Sequence, residues 1–170
     1  MDTKENKLHI SAPEVVPAKG WTPIIKLPNF GEGHPFLMGD TTKNRLRVAY
    51  FIREKDKALC AKAWFGWAAE GPPGYAHGGS ILTVFDETMG LASWMAGYLT
   101  LAASVTADFR RKLPLGTDAT VEASVIKVER RKVYTKAKMY NPYDNLLFAE
   151  AKGLFVMQEM AQITDPLKEY

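Results

Sequence analysis

Two features of this sequence could carry chemistry: the tripeptide His77-Gly78-Gly79 ahead of an apolar run, and Asp86 inside that run. Glycine lets a reactant approach the backbone closely, and the first amides of a helix lack internal partners and stand at the positive end of its dipole. A helix opening on Gly78 and Gly79 is therefore a candidate oxyanion hole for acyl transfer. The plainer reading is a tight turn in which His77 caps or braces the helix. Asp86 lies among Leu82, Val84, Phe85, Met89 and Leu91, where a charged carboxylate is costly unless paired or functional. It faces a water-filled gap, pairs with a basic strand residue such as Arg110, or serves as a base whose proton affinity burial has raised. Its neighbour Glu87 is free to point elsewhere.

Spacing constrains the chemical reading. Gly78 and Asp86 are eight positions apart, roughly 12 Å along one helix at about 1.5 Å per residue, so one carbonyl cannot touch both. Two such helices antiparallel about a two-fold axis would bring the amide of one chain to the carboxylate of the other. The chemistry thus predicts a homodimer with shared sites.

Other chemistries find little support. The three histidines, His9, His34 and His77, have no Cys, His or carboxylate at metal-ligand spacing, so no metal is expected. No G-x-S-x-G turn marks a serine nucleophile, and GPPGYAHGGS lacks the lysine and strand context of a phosphate loop. A single cysteine, Cys60, forms no internal disulfide and suits a reduced, cytoplasmic setting. The first residues show no secretory or transit pattern, and the most apolar stretch contains Asp86 and Glu87, which argues against a membrane span. With 22 basic against 19 acidic side chains the balance is too even to expect nucleic acid as a partner.

The surrounding elements must hold this helix. The 170 residues, 46% of them hydrophobic, suffice for one core. Residues 1–43 carry five prolines without periodicity and read as an irregular arm, with Trp21, Ile24, Ile25 and Phe30 available to pack on the body. From Arg45, Leu46, Val48, Tyr50 and Ile52 alternate with charge, as in a half-buried strand. A second strand puts Ala61, Ala63, Phe65 and Trp67 on one face and ends at Gly71-Pro72-Pro73-Gly74. The helix spans about 78–97, with Ile81, Leu82, Phe85, Met89, Ser93 and Ala96 at three- and four-residue spacing and small residues that permit close approach. Strands follow over 101–111, 117–129, 133–140 and 146–157. In the first, Leu101, Ala103, Val105, Ala107 and Phe109 share a face. The alternation of the second slips at Ile126 and Val128, as at a bulge. The pattern is α+β, a curved antiparallel sheet wrapped around a long central helix.

The stretch from Gly71 to Met157 resembles the PaaI-like hotdog thioesterases, and within them the animal-type acyl-CoA thioesterases. The residues that carry the resemblance are EGPPGYAHGGSILTVFDETMG, ADFRRKLPL, VIKVERRKVYTKAKMYN and LFAEAKGLFV, in that order. The resemblance implies a hotdog domain over 44–158, flanked by the arm and a 159–170 tail, with protomers paired side by side through their sheets. It implies hydrolysis of a fatty or aryl acyl-CoA in lipid metabolism, with coenzyme A entering as part of the substrate and no further cofactor. Gly78 would polarise the thioester carbonyl, His77 orient the turn that includes Gly79, and Asp86 activate water or attack directly. Whether dimers stack into a homotetramer is left open.

One departure stands out. Many relatives place a hydroxyl residue where this chain has Ala102, seven positions before Phe109; Thr100, Ser104 and Thr106, expected on the same strand face, are the available substitutes. Ser104 is taken as the substrate-contacting member. Arg110-Arg111-Lys112 and Arg130-Arg131-Lys132 could meet the phosphates of coenzyme A, or could be solvated faces beside turns. Two rivals accompany the thioesterase reading: a hotdog hydratase or dehydratase using histidine as base, and a non-catalytic acyl-CoA binder.

Overall fold

A computed structural model of the chain describes residues 14–25, 36–37 and 44–159. Seven strands form one antiparallel sheet: β1 Trp21–Pro23, β2 Leu46–Arg53, β3 Leu59–Phe65, β4 Thr100–Phe109, β5 Asp118–Glu129, β6 Lys132–Tyr140 and β7 Leu147–Met157. Their spatial order is β1-β2-β3-β5-β6-β7-β4, which leaves β4 as a ten-residue edge. The helix α1, Gly78–Met95, connects β3 to β4 and packs on β3, β4, β5, β6 and β7.

Apolar spacing explains the docking of α1. Ile81, Val84, Phe85, Thr88, Met89 and Ala92 are buried toward the sheet. Complete burial of Phe85 and Met89 stabilises the fold by about 2 kcal/mol each. Thr88 and Ser93 are satisfied within the helix by donating to the carbonyls of Val84 (2.5 Å) and Met89 (3.2 Å). The helix stops two residues short of the expected end because Gly97 adopts a φ of 91°, outside the range an L side chain favours, and Ala96 is exposed.

Strand details depart from simple alternation at several places, among them a shift between Met139 and Tyr140 where β6 meets β7. In β5 the register shifts between Val125 and Lys127, so Ile126 is the extra residue of the bulge that its pattern announces. In β4 a second bulge leaves Ala103 unpaired between Ala102, opposite Phe155, and Ser104, opposite Leu154. Trp67 does not share a strand face with Ala61, Ala63 and Phe65; β3 ends at Phe65, and Trp67 opens a one-turn 3-10 helix, Trp67–Ala69, with 43% of its surface exposed. The strand stops at Gly66, where a Cβ would stand 2.1 Å from the carbonyl oxygen of Asn44 and 2.6 Å from the Trp64 ring.

The arm is less irregular than its prolines suggest, because Trp21–Pro23 pairs with Phe51–Arg53. Trp21 packs on Phe51 with ring centroids 5.6 Å apart, and Ile24 joins the core while Ile25 is 96% exposed. Phe30 and most of residues 1–43, like the tail beyond Glu159, lie outside the described residues. Among the described residues no helix is long and apolar enough to cross a bilayer.

Candidate active site

The turn before α1 is tied down from two sides. Gly71 N–H donates to Tyr75 O and Tyr75 N–H to Pro72 O, both at 2.9 Å, while Gly74 N–H donates to the Glu70 carboxylate at 2.6 Å. His77 N–H then donates to Ala69 O (2.7 Å), and Ala76 N–H to Leu113 O (2.9 Å). The chain therefore enters the helix along one path, fixed by the preceding 3-10 turn and by the 113–115 segment.

At the helix start the orphan amides divide unequally. His77 is the N-cap, and its Nδ1 accepts from Gly79 N–H at 2.9 Å, which leaves Nε2 as the protonated nitrogen of the neutral ring. Ser80 and Ile81 amides donate to His77 O at 3.0 and 3.2 Å. Gly78 N–H has no acceptor among the described residues. The capping reading of His77 and the oxyanion reading of Gly78 are thus compatible: the histidine uses the Gly79 amide and leaves its neighbour's free. The Phe109 ring lies beside Gly78, 3.3 Å from where a Cβ would stand.

Asp86 is half-buried and has no hydrogen-bond or ion-pair partner among the described residues. Burial pushes its carboxyl above the usual range, because nothing nearby stabilises the charged form. The Glu87 carboxyl is also pushed up, by burial first and then by the charge of Asp86. Arg110 does not pair with Asp86. Its Nε donates to Glu150 at 2.9 Å, and it also reaches Asp108 at 3.7 Å. Asp108 stands opposite Glu150 across β4 and β7, with Arg110 between the two acids. Because α1 is continuous, Gly78 and Asp86 stay about 12 Å apart within one chain.

The bulge at Ala103 corrects the expected faces of β4. Thr100 and Ala102 stand opposite Met157 and Phe155, toward the helix, whereas Ser104, Thr106 and Asp108 stand opposite Leu154, Lys152 and Glu150 on the other face. Ser104 and Thr106 therefore do not share the face of Ala102, and Leu101, opposite Val156, does not share the face of Val105, Ala107 and Phe109, while Ala103 is the unpaired residue of the bulge. Past the bulge, Val105, Ala107 and Phe109 face α1 as expected. Thr100 remains on the helix side, 2% exposed, its hydroxyl without a hydrogen-bond partner among the described residues.

The two basic clusters lie at opposite ends of α1. Arg110, Arg111 and Lys112 follow Phe109 near the helix start, where Arg111 donates to Leu147 O (3.2 Å) and Lys112 sits 5.1 Å from the Tyr75 ring centroid. Arg130, Arg131 and Lys132 lie at the β5–β6 hairpin near the helix end, where Arg131 donates to Met157 O at 3.0 Å and Gln158 N–H to Leu99 O. Among the described residues no group of three His, Cys, Asp or Glu side chains could hold a metal ion.

Comparison with known proteins agrees with this architecture. Residues 73–147 match the family model of the thioesterase superfamily. The chain is 39% identical over 88 residues to acyl-coenzyme A thioesterase THEM4 of Xenopus laevis, covering 51% of this chain and 39% of that protein. It is 28% identical over 115 residues to acyl-coenzyme A thioesterase THEM5 of Mus musculus, covering 68% and 46%. The chain thus spans less than half of the curated relatives it matches. Among solved structures, the Escherichia coli PaaI protein from the phenylacetic acid degradation operon superposes with a TM-score of 0.58 at 16% identity, over 67% of this chain and 80% of that one. A Streptococcus mutans protein crystallised with acetyl-CoA gives 0.58 at 14%, over 90% and 97%. The segment similar to the thioesterase superfamily contains the capped helix start, Asp86, β4, β5 and β6, and the fold is that of a hotdog.

Proposed function

We propose that this protein hydrolyses the thioester of a fatty or aryl acyl-CoA. The reading rests above all on one observation: among the described residues Gly78 N–H has no acceptor at a capped helix start, and the acid Asp86 on the same helix has no partner. An amide with no internal partner is free to bind the oxygen on which charge develops as the thioester is attacked. An acid whose proton affinity burial has raised is a better base toward water than an exposed one, and it could equally attack the carbonyl itself. His77 is a positioning residue in this scheme, since its bond to Gly79 fixes the turn.

The 12 Å between Gly78 and Asp86 requires a second copy, and β4 offers the means. It is a long edge with exposed Ala102, Ala103 and Ser104 and a single charge, Asp108, the kind of edge that templates further pairing. Two β4 strands paired antiparallel set the helices antiparallel, so Gly78 of one protomer approaches Asp86 of its partner. The same operation carries 130–132 of one protomer toward 110–112 of the other. The separated basic clusters would then serve one nucleotide, and their phosphate contacts are part of the same reading.

Release of free CoA thiol from short, long and aromatic acyl-CoAs tests this directly. Wild-type turnover, with Asp86→Asn folded, binding and largely inactive, is the expected result. Binding without turnover by either protein would replace hydrolysis with acyl-CoA sequestration, a reading that Ala102 favours because it removes a hydroxyl from the helix-facing side of β4.

A further inference from the structure

The sheet face turned away from α1 carries a charge pattern that acyl transfer does not use. Ser124 stands opposite Lys136, Lys136 opposite Lys152, and Lys152 opposite Thr106, so one row crosses β5, β6, β7 and β4. Like charges directly opposite each other across a ladder destabilise a sheet. In the next row Lys138 stands between Glu122 and Glu150, and the opposed acids Glu150 and Asp108 are bridged by Arg110.

Both lysines and Ser124 are among the residues lining a groove of about 1100 Å³, which also takes in Ala92, Met95 and Ala96 at the end of α1 and so is not confined to this face. Four acids also line it, and each is already engaged: Asp56 and Glu122 by Arg53, both at 2.8 Å, and Glu150 and Asp108 by Arg110. Glu122 also receives Lys138 at 3.3 Å and the Tyr140 hydroxyl. Lys136 and Lys152 have no hydrogen-bond or ion-pair partner among the described residues. Two adjacent uncompensated cations, with a hydroxyl donor beside them, match a compact dianion. The arginines, whose planar forks suit carboxylates, are occupied, while lysine acts as a rotatable point charge toward phosphate oxygens.

We propose that Lys136 and Lys152, with Ser124, form a binding site for a phosphate or pyrophosphate dianion on the sheet face opposite α1. Lys136, Lys152 and Ser124 themselves belong to neither the Gly78 and Asp86 pair nor the two basic clusters, although Arg110 lines the same groove. Phosphate bound there would neutralise the opposed lysines and raise the stability of the sheet by linkage.

Titration calorimetry and thermal unfolding of the full chain with inorganic pyrophosphate at low ionic strength test the site. Pyrophosphate is expected to bind and raise the melting midpoint of the wild type, with affinity at least 10-fold weaker in Lys136→Gln/Lys152→Gln and unchanged in the distant Lys55→Gln. Lys152→Glu is expected to melt no lower than wild type, because it creates an opposed ion pair, and to lose pyrophosphate binding. Displacement of pyrophosphate by free CoA would identify a nucleotide as the source of the phosphate, and absence of displacement a free phosphate. An equal shift from sulfate at matched ionic strength, or pyrophosphate binding undiminished in the double variant, would overturn the site.

Discussion

The Phe109 ring lies against the α-carbon face of Gly78, with its Cζ 3.3 Å from the position a Cβ on residue 78 would take. The relationship links the last residue of β4 to the first residue of α1. It also separates the packing role of the glycine from its chemical one. Phe109 is 53% exposed, so its ring can yield the few tenths of an ångström that an alanine needs. Gly78→Ala is therefore expected to change unfolding free energy by less than about 1 kcal/mol, as most surface-proximal substitutions do. The added methyl and displaced ring crowd the amide, however, and hydrolysis should fall by about 10², the loss typical of one missing oxyanion donor. Urea unfolding and thiol release measured on the same preparation check both halves. A large stability loss with unchanged turnover per folded molecule would remove Gly78 from the chemistry.

Gly79 has the opposite profile. A Cβ there would stand 2.9 Å from His77 Nδ1, the atom that accepts the Gly79 amide, so Gly79→Ala must push the cap away. Loss of a helix N-cap costs about 1 kcal/mol, and His77→Ala should cost a similar amount. Both substitutions remove one interaction, so the double variant is expected to lose much less than the sum. A thermodynamic cycle in urea gives the coupling, and strict additivity would show that His77 stabilises the turn by some other contact.

Much of this arrangement is legible in the sequence because it is written in periodicities. Ile81, Phe85 and Met89 announce the buried stripe of α1, and the broken alternation at Ile126 announces a bulge that the β5–β6 register contains. The bulge at Ala103 gives no such signal, since Leu101 to Ala107 is built largely of small residues that fit either face equally well. One unpaired residue there reverses the placement of Ser104 and Thr106 relative to Ala102. Pairings over long sequence distance are equally hidden. Nothing local indicates that Arg110 joins Glu150 rather than Asp86, or that Lys136 faces Lys152, because both depend on β7 lying between β6 and β4.

Asp86 sets a pH dependence whose sign follows from its raised carboxyl pKa. An acid harder to ionise in the folded state than in the unfolded one favours folding while protonated. That contribution is full below the unfolded value and is lost as pH rises through the folded one. Asp86→Asn is therefore expected to unfold at higher urea than wild type at neutral pH, with the difference closing toward acid pH below the ordinary aspartate range. Hydrolysis by the wild type should rise with pH around a midpoint above that range, since the base must be ionised. Destabilisation by Asp86→Asn at neutral pH would mean that the carboxylate has a partner in the assembled protein.

The strongest test of a shared site uses two inactive chains. In Asp86→Asn the Gly78 amide is intact, and in Gly78→Ala the Asp86 carboxylate is intact. If each site draws its amide from one protomer and its acid from the other, a mixed dimer contains one complete site and one doubly defective site. Co-refolding the two variants in equal amounts makes half the dimers mixed, so activity should recover to about a quarter of wild type for a two-fold dimer. The 12 Å span of an unbroken α1 makes any recovery a geometric signature, because sites completed within one chain gain nothing from mixing. Activity after co-refolding no higher than the mean of the separate variants would return both residues to a single chain and require a substrate path along the helix.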